Sequence, residues 1–280
     1  MKLINIILYV LKKIKKFFLI NLINLVQKSY NFKMPEIKII YEDENFLAID
    51  KPSGLMVHPA RVSANKKNRE AEPTLIDWLL SKYPEIKNVG DDPATRPGIV
   101  HRLDKETSGV LLIPKNQKYF EYLKSLFQEH LIQKKYYAVV FGIPKNQSGV
   151  IDVPIGIKNG TLKRSIHSGK MAKTAVTEYK QLKTKKLFDK YGKEYFFSYL
   201  DVSPKTGRTH QIRVHLASIG HPIVGDILYG AKKQQKLASV FFDNFPNEKP
   251  RLMLHSYSLE FAPYPNKSLK IETDTPDIFL

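Results

Sequence analysis

The residues best placed to do chemistry fall in one short stretch, Gly98-Ile99-Val100-His101-Arg102-Leu103-Asp104-Lys105-Glu106-Thr107-Ser108-Gly109-Val110-Leu111-Leu112. An apolar pair leads into His-Arg-Leu-Asp, two charged residues follow, and Thr-Ser-Gly opens a second apolar run. This pattern predicts a strand end, a tight polar loop and a new strand at Gly109. Asp104 stands at the entry to the loop, between two segments that belong in a core. A carboxylate fixed there by a rigid scaffold can act as a nucleophile or a base. The same residue could equally make an Asx-turn and cap the loop; the stretch alone leaves both open.

The elements that must position this loop follow from periodicity. Strand-like runs occupy 37–41 and 46–50, joined by Glu42-Asp43-Glu44, and Lys51-Pro52-Ser53-Gly54 forms a turn leading to Val57-His58-Pro59-Ala60. Residues 61–72 make a polar loop. Thr74 caps a helix to Tyr83, with Leu75, Trp78 and Leu79 on its apolar face, and Pro84 ends it. Residues 85–97 form a second loop. Asn116 caps a helix to His130 whose apolar face is Phe120, Leu123, Phe127 and Leu131. Lys134–Gly142 is rich in aromatic and β-branched residues and predicts a strand. Further strands are expected at 149–154, 172–182, 194–202 and 252–261. A turn at 203–207 precedes a helix from Arg208 to Ile219. Strands follow one another more than they alternate with helices, which predicts an α+β fold with a largely antiparallel sheet.

The 280-residue chain is 42% hydrophobic and 26% charged, so it can bury a sizeable core and reads as folded. It has no cysteine, which excludes disulfides, thiolate catalysis and cysteine-ligated zinc and fits a reducing, cytoplasmic compartment. The formal net charge of +18 suggests a polyanionic partner, a nucleic acid or an anionic membrane. Residues 1–34 hold seven lysines and no acid, while 35–280 hold 38 basic and 27 acidic residues, so that part is basic in its own right. On a helical wheel Lys2, Asn5, Lys12, Lys13, Lys15 and Lys16 share one side, and Leu3, Ile7, Val10, Leu11, Ile14 and Phe18 the other. This amphipathic extension could be a membrane-surface or RNA-binding arm, a targeting segment, or a loosely docked solvated tail. A span is not expected, because the lysines cut the apolar run to about ten residues against the ~20 needed. The composition changes at Met34-Pro35, which divides the chain into this extension, 1–34, and a catalytic domain, 35–280.

The stretch His-Arg-Leu-Asp-x-x-Thr-Ser-Gly, preceded by Gly-Ile-Val, resembles the catalytic motif of the RluA family of pseudouridine synthases. Other segments resemble the family in the same order. Ile49-Asp50-Lys51-Pro52-Ser53-Gly54 opens the domain with His58-Pro59. Lys134-Lys135-Tyr136-Tyr137-Ala138 matches a Lys-x-Tyr-x-Ala strand. Thr206-Gly207-Arg208-Thr209-His210-Gln211-Ile212-Arg213-Val214-His215-Leu216 is unbroken and runs on to Gly220-His221-Pro222-Ile223-Val224-Gly225-Asp226. The resemblance covers about 35 to 262. The S4-type RNA-binding domain often found before this catalytic domain is not recognisable in 1–34, and the polar inserts near 61–72 and 88–97 match nothing in the family.

The resemblance implies a pseudouridine synthase fold: a largely antiparallel mixed sheet flanked by helices, with a central RNA-binding cleft. It implies isomerisation of uridine in RNA, with neither metal nor cofactor. The reaction breaks the C1′–N1 bond, turns the base and joins C5 to C1′. It needs an ionised carboxylate at the sugar, which attacks C1′ or takes the C2′ proton. The resemblance puts Asp104 in that role, Arg213 beside it as a charge partner, and Tyr136 under the base as a stacking group and proton relay. Neighbours on a strand face opposite ways, so only one of Tyr136 and Tyr137 can face the cleft. Arg102 is expected to fill the gap left by the extruded uridine. Arg208 and His210 are expected at phosphates near a helix start, and His101 and Thr107 at the substrate.

Rival readings fare worse. Lys205-Thr206-Gly207 and Ser63-Ala64-Asn65-Lys66 copy two boxes of a serine acyl-enzyme, but its Ser-Asp-Asn is missing. No His-Glu-x-x-His marks a metal hydrolase. A non-catalytic RNA-binding protein would suit the charge but has no need of Asp104, Tyr136 and Arg213 together. The expected partner is therefore RNA, large-subunit ribosomal RNA or transfer RNA, acted on by a monomer.

Overall fold

The computed structural model describes residues 34–59, 72–157, 163–166, 170–264 and 267–279. The expectations for 1–33 and most of 61–72 lie outside the described residues. Everything discussed here belongs to the compact unit formed by Glu36–Val62 and Thr74–Leu280.

Its frame is a nine-stranded sheet. In chain order the strands are β1 (Lys38–Glu42), β2 (Phe46–Lys51), β3 (Ser108–Pro114), β4 (Gln133–Phe141), β5 (Ser148–Asp152), β9 (Val176–Phe188), β10 (Glu194–Pro204), β11 (Leu254–Tyr264) and β12 (Lys267–Glu272). They lie in the order β1-β2-β3-β11-β4-β10-β9-β5, with β12 also on β11. A second sheet orders β7 (Arg164–Ser165), β6 (Ile155–Ile157) and β8 (Lys170–Lys173). Among these strand pairs all but one are antiparallel, and the exception joins the two halves: β3 runs parallel to β11 at Ser108↔His255 and Gly109↔Ser256. Gly109 allows that seam. Its φ is +115°, and a Cβ there would overlap the backbone of Ser256.

Four helices flank the sheet among the described residues: α1 (Leu75–Lys82), α2 (Gln117–Gln128), α3 (Gln211–Ser218) and α4 (Lys232–Asp243). The α1 start is held by Asp77, whose carboxylate accepts from the Thr74 N–H at 2.6 Å and the Thr74 hydroxyl at 2.8 Å. At α2, Asn116 accepts from the Tyr119 N–H at 2.9 Å, the expected cap. Tyr119, Leu123 and Leu126 of α2 bury against Phe46, Val110, Leu112 and Leu259. Ile212 and Leu216 of α3 and Phe241 of α4 belong to the other core, with Val139, Phe197, Leu200 and Val202. Fully burying a side chain of this size stabilises by about 1.5–3 kcal/mol, so both cores hold the helices to the frame.

Several sequence expectations are corrected. Leu131 is 56% exposed and lies beyond the helix, because α2 ends at Gln128 and His130 takes a left-handed φ of 59°. Leu126 takes the buried place instead. The helix expected from Arg208 starts at Gln211, whose side-chain carbonyl accepts from the Arg208 N–H at 3.0 Å and the Thr206 hydroxyl at 2.6 Å. The strand expected at 172–182 is two elements, β8 and a β9 that runs on to Phe188. The strands β6, β7 and β12 and the helix α4 fall where the sequence reading expects no element.

Candidate active site

The seam between the two half-sheets is where the chemistry-bearing residues meet. Asp104 sits in the loop entering β3, Tyr136 on β4 one strand beyond β11, and Arg213 on α3. The loop is closed by the Thr107 N–H donating to the Asp104 carbonyl at 3.1 Å. All eight residues expected at the site, Asp104, Tyr136, Arg213, Arg102, His101, Thr107, Arg208 and His210, line one cleft of about 650 Å³.

Its floor is a chain of charges. Arg213 Nη1 donates to Asp104 Oδ2 at 3.2 Å, while Nε and Nη2 of the same guanidinium donate to Oδ2 and Oδ1 of Asp226 at 2.7 and 2.9 Å. The Asp226 side chain is fully buried, and its Oδ1 also accepts from the Leu228 and Tyr229 N–H groups at 2.9 and 3.0 Å. The bidentate fork fixes the plane of the guanidinium and leaves one corner for Asp104. The Tyr229 ring lies 5.2 Å from the guanidinium carbon. Burial opposes the Arg213 charge, but the two carboxylates outweigh it, and its pKa is raised above the usual arginine value. Gly225, with φ +78°, sets up this anchor: a Cβ there would run into the Arg251 carbonyl.

His210 also faces Asp104. Its Nε2 is 3.7 Å from Asp104 Oδ1, and its Nδ1 is 2.8 Å from the Tyr229 hydroxyl. The backbone puts it there by a left-handed turn, φ 57°, just before α3. Burial lowers its pKa, the Asp104 charge partly opposing. Tyr136 lines the cleft and Tyr137 turns away to stack on Tyr257, ring centres 4.0 Å apart, as strand alternation requires. Burial, reinforced by the Asp104 charge, pushes the Tyr136 hydroxyl up to about 12.

The remaining expected residues form the walls. Thr107 is buried, and its hydroxyl has no partner among the described residues. His101 Nε2 accepts from the Leu112 N–H at 2.9 Å, and its ring stacks on Phe127 at 4.3 Å. Burial, aided by the nearby Lys134 charge, lowers its pKa to about 3, so the ring is neutral. Arg102 is exposed at the mouth, with Nη1 2.7 Å from His58 Nε2. Arg208 is tethered by Nε to the Thr174 carbonyl at 3.0 Å. His215 is fully buried between Thr177 and the Val153 carbonyl, away from the cleft lining.

Sequence reasoning missed three participants. Asp226 was quoted only as part of a matching run; the signal was that an arginine buried on an apolar helix needs more than one carboxylate. Lys134 lines the cleft with no carboxylate in ion-pair range among the described residues, and burial followed by the Arg208 charge lowers its pKa. Lys51 was read only as a turn residue. It is fully buried, and Nζ donates to the carbonyls of Pro52, Leu55 and Lys105 at 2.8, 2.9 and 3.1 Å. All three ammonium protons are thereby used to tie β2 to the residue after Asp104. Burial lowers its pKa to about 7. A lysine closing the strand Phe46–Lys51, after four buried apolar residues and Asp50, was the signal.

A carboxylate, an arginine hydrogen-bonded to it and a phenol on one basic cleft are groups with which an enzyme can work on a polyanion by covalent or acid–base chemistry. The comparisons with known proteins narrow this. A family model described as RNA pseudouridylate synthase matches residues 45–218. An uncharacterized RNA pseudouridine synthase of Aquifex aeolicus is 39% identical over 250 residues, covering 87% of this chain and 71% of that one. The ribosomal large subunit pseudouridine synthase D of Pseudomonas aeruginosa is 36% identical over 247 residues, 88% and 70% of the two chains. The solved structure of human RNA pseudouridylate synthase domain containing 1 shares the fold, with a TM-score of 0.65 and 24% identity over 87% of each chain. The chain belongs to the RNA pseudouridylate synthase family and is an enzyme that isomerises uridine in RNA.

Proposed function

We propose that this enzyme converts uridines of large-subunit ribosomal RNA to pseudouridine, with Asp104 as the catalytic carboxylate. The observation that carries the residue assignment is the Arg213 guanidinium, fixed on one side by buried Asp226 and offering its last corner to Asp104 at 3.2 Å. Such an arrangement sets a fixed cation against a carboxylate and aims it while a nucleotide excludes water from the cleft. Asp104 then either attacks C1′ as N1 leaves, or takes the C2′ proton to give a glycal. The base turns and C5 bonds to C1′; this expels the Asp104 carboxylate from C1′ in the first route and is accompanied by return of the proton from Asp104 to C2′ in the second. The C5 proton passes to solvent and the departed N1 gains one, so the product is an isomer of the substrate and Asp104 is regenerated. Tyr136 stacks on the base as a neutral phenol; its hydroxyl can release its own proton as it accepts the one from C5. Arg102, exposed at the cleft mouth, enters the RNA stack in place of the extruded uridine. Lys134 and Arg208 take the phosphates. His101 and Thr107 shape the wall rather than contact anions, since His101 is neutral and already accepts a backbone hydrogen bond. His210 holds the edge of Asp104 opposite Arg213. The chain acts as a cytoplasmic monomer in this reading.

The ribosomal target is supported by the Pseudomonas relative, a ribosomal large subunit pseudouridine synthase. Two experiments test the reading. Purified protein should release tritium from C5-labelled uridine in transcribed large-subunit ribosomal RNA with a chelator present; dependence on an added metal would contradict it. Pseudouridine mapping in cells with and without the gene should show sites lost from that RNA, and sites lost only from transfer RNA would overturn the target.

A further inference from the structure

The strands β9 and β10 touch the cleft only at one end. Pro204, on its lining, pairs with Thr177, whereas ten residues earlier Glu194 pairs with Phe188. At ~3.3 Å per residue the far end of this arm is about 33 Å of strand away. Its composition differs from that of the rest of the sheet. Between residues 180 and 196 stand six lysines, Lys180, Lys183, Lys185, Lys186, Lys190 and Lys193, against Asp189 and Glu194. Among the described residues only Lys186 has a carboxylate in ion-pair range, Glu194 at 3.1 Å. Asp189 is committed to the turn, where its Oδ1 accepts from the Tyr191 and Lys193 N–H groups at 2.9 and 3.0 Å.

Exposed rings stand among these cations. Tyr191 is 82% exposed, Phe188 50% and Phe196 40%. The Lys190 ammonium is 5.0 Å from the Tyr191 ring centre, and that of Lys186 6.0 Å from both Phe188 and Phe196. A face that only kept the chain in solution would mix signs and hide its rings. This one sets six lysines, one of them ion-paired, among exposed aromatics, and its like charges repel: burial and the Lys183 charge together lower the pKa of Lys185. Cations that track a backbone beside rings on which bases stack are the components of a single-strand nucleic-acid surface.

We propose that the outer half of the β9–β10 arm, centred on Lys186, Lys190, Lys193, Phe188, Tyr191 and Phe196, binds an unpaired RNA strand of the substrate outside the catalytic cleft. The inference rests on RNA being the substrate and adds a contact that chemistry does not need. Phosphates lie on the lysines and bases on the rings.

The test uses the full chain and fluorescent oligouridylate of about 20 nucleotides, longer than the ~4–16 that such surfaces occupy. Binding is followed by anisotropy across salt concentrations, and turnover by tritium release from transcribed large-subunit ribosomal RNA. The double variant K190E/K193E should weaken oligouridylate at least tenfold and reduce the log–log salt slope by about 1.4, at ~0.7 per lost phosphate contact. Tyr191→Ala should weaken it about tenfold and Tyr191→Phe should restore it, because stacking needs the ring and not the hydroxyl. Turnover at saturating substrate should equal that of wild type in all three. Unchanged affinity and slope overturn the proposal, and would be the result if the arm served a protein or a membrane. Loss on charge reversal with no loss in Tyr191→Ala also overturns it, because that is attraction without a stacking site. If wild type binds oligouridylate through the arm yet turns over no ribosomal RNA, the target is wrong and the surface stands.

Discussion

The floor of the cleft and its rim both carry cations but partner them in opposite ways. On the floor every charge is answered from within: Arg213 spans Asp104 and Asp226, and Asp226 takes two further backbone N–H groups. On the rim Lys134 and Arg208 have no carboxylate in ion-pair range among the described residues. The floor costs its desolvation at folding and is then rigid, which suits a group that must be aimed at one atom. The rim leaves its charge open to an incoming polyanion, which suits binding and makes affinity depend on salt. Loss of the buried Arg213–Asp226 anchor should therefore harm stability and turnover together, and damage to the rim should harm binding alone.

The largest effect is expected from Arg213→Ala. It strands a buried carboxylate, which typically costs ~3–5 kcal/mol, and it frees Asp104 from the guanidinium 3.2 Å away. Urea unfolding should show the loss, and tritium release at saturating RNA should fall about a hundredfold or more. A stable variant with near-normal turnover would show that the floor is not the organised unit described. Lys51→Met comes next. It leaves three carbonyls behind the Asp104 loop without their donor, at ~1–3 kcal/mol for each group that finds no water. Stability should drop by a few kcal/mol and turnover about tenfold, with RNA affinity kept. Equal losses in affinity and turnover would place Lys51 in binding.

Buried neutral histidines give a smaller and pH-dependent effect. In the folded chain His101 has a pKa near 3, against an ordinary value of about 6.5, so below pH 6.5 the unfolded chain holds more protons. Its contribution is flat above pH 6.5 and is lost as pH falls from there towards 3, at about 1.4 kcal/mol per pH unit. His101→Gln should make the stability–pH curve shallower by that amount, as read from urea midpoints at pH 7, 6, 5 and 4. An unaltered slope would mean the ring is charged and serves the rim. The smallest effect is expected from Lys134→Met: a salt slope reduced by ~0.7–0.9 for one lost phosphate contact, with saturated turnover unchanged.

The sequence made the site more legible than the fold that assembles it. Asp104, Tyr136 and Arg213 could be named because their neighbours form long matching words; strand alternation said that only one of Tyr136 and Tyr137 could face the cleft, and the resemblance chose Tyr136. Asn116 and Pro84 marked helix limits by local chemistry. What stayed hidden was long-range. Nothing near Ser108 says that it will lie parallel to His255, and that pairing creates the seam on which the site stands. The partnership of Arg213 with Asp226 depends on a turn at Gly225, and that of Lys51 with the Lys105 carbonyl on where β2 meets the catalytic loop. Helix α4 was missed because Lys232–Asp243 is polar through its first half and buries chiefly Val240, Phe241 and Phe242 at its end.

The central claim is that one carboxylate performs the chemistry on a floor that does not need it for folding or binding. Asp104→Asn keeps the shape of the side chain and removes the charge that attacks C1′ or takes the C2′ proton. Tritium release from C5-labelled ribosomal RNA should fall by at least a thousandfold, while the urea midpoint and RNA affinity stay close to those of wild type. Turnover within tenfold of wild type would contradict the account and remove Asp104 as the catalyst.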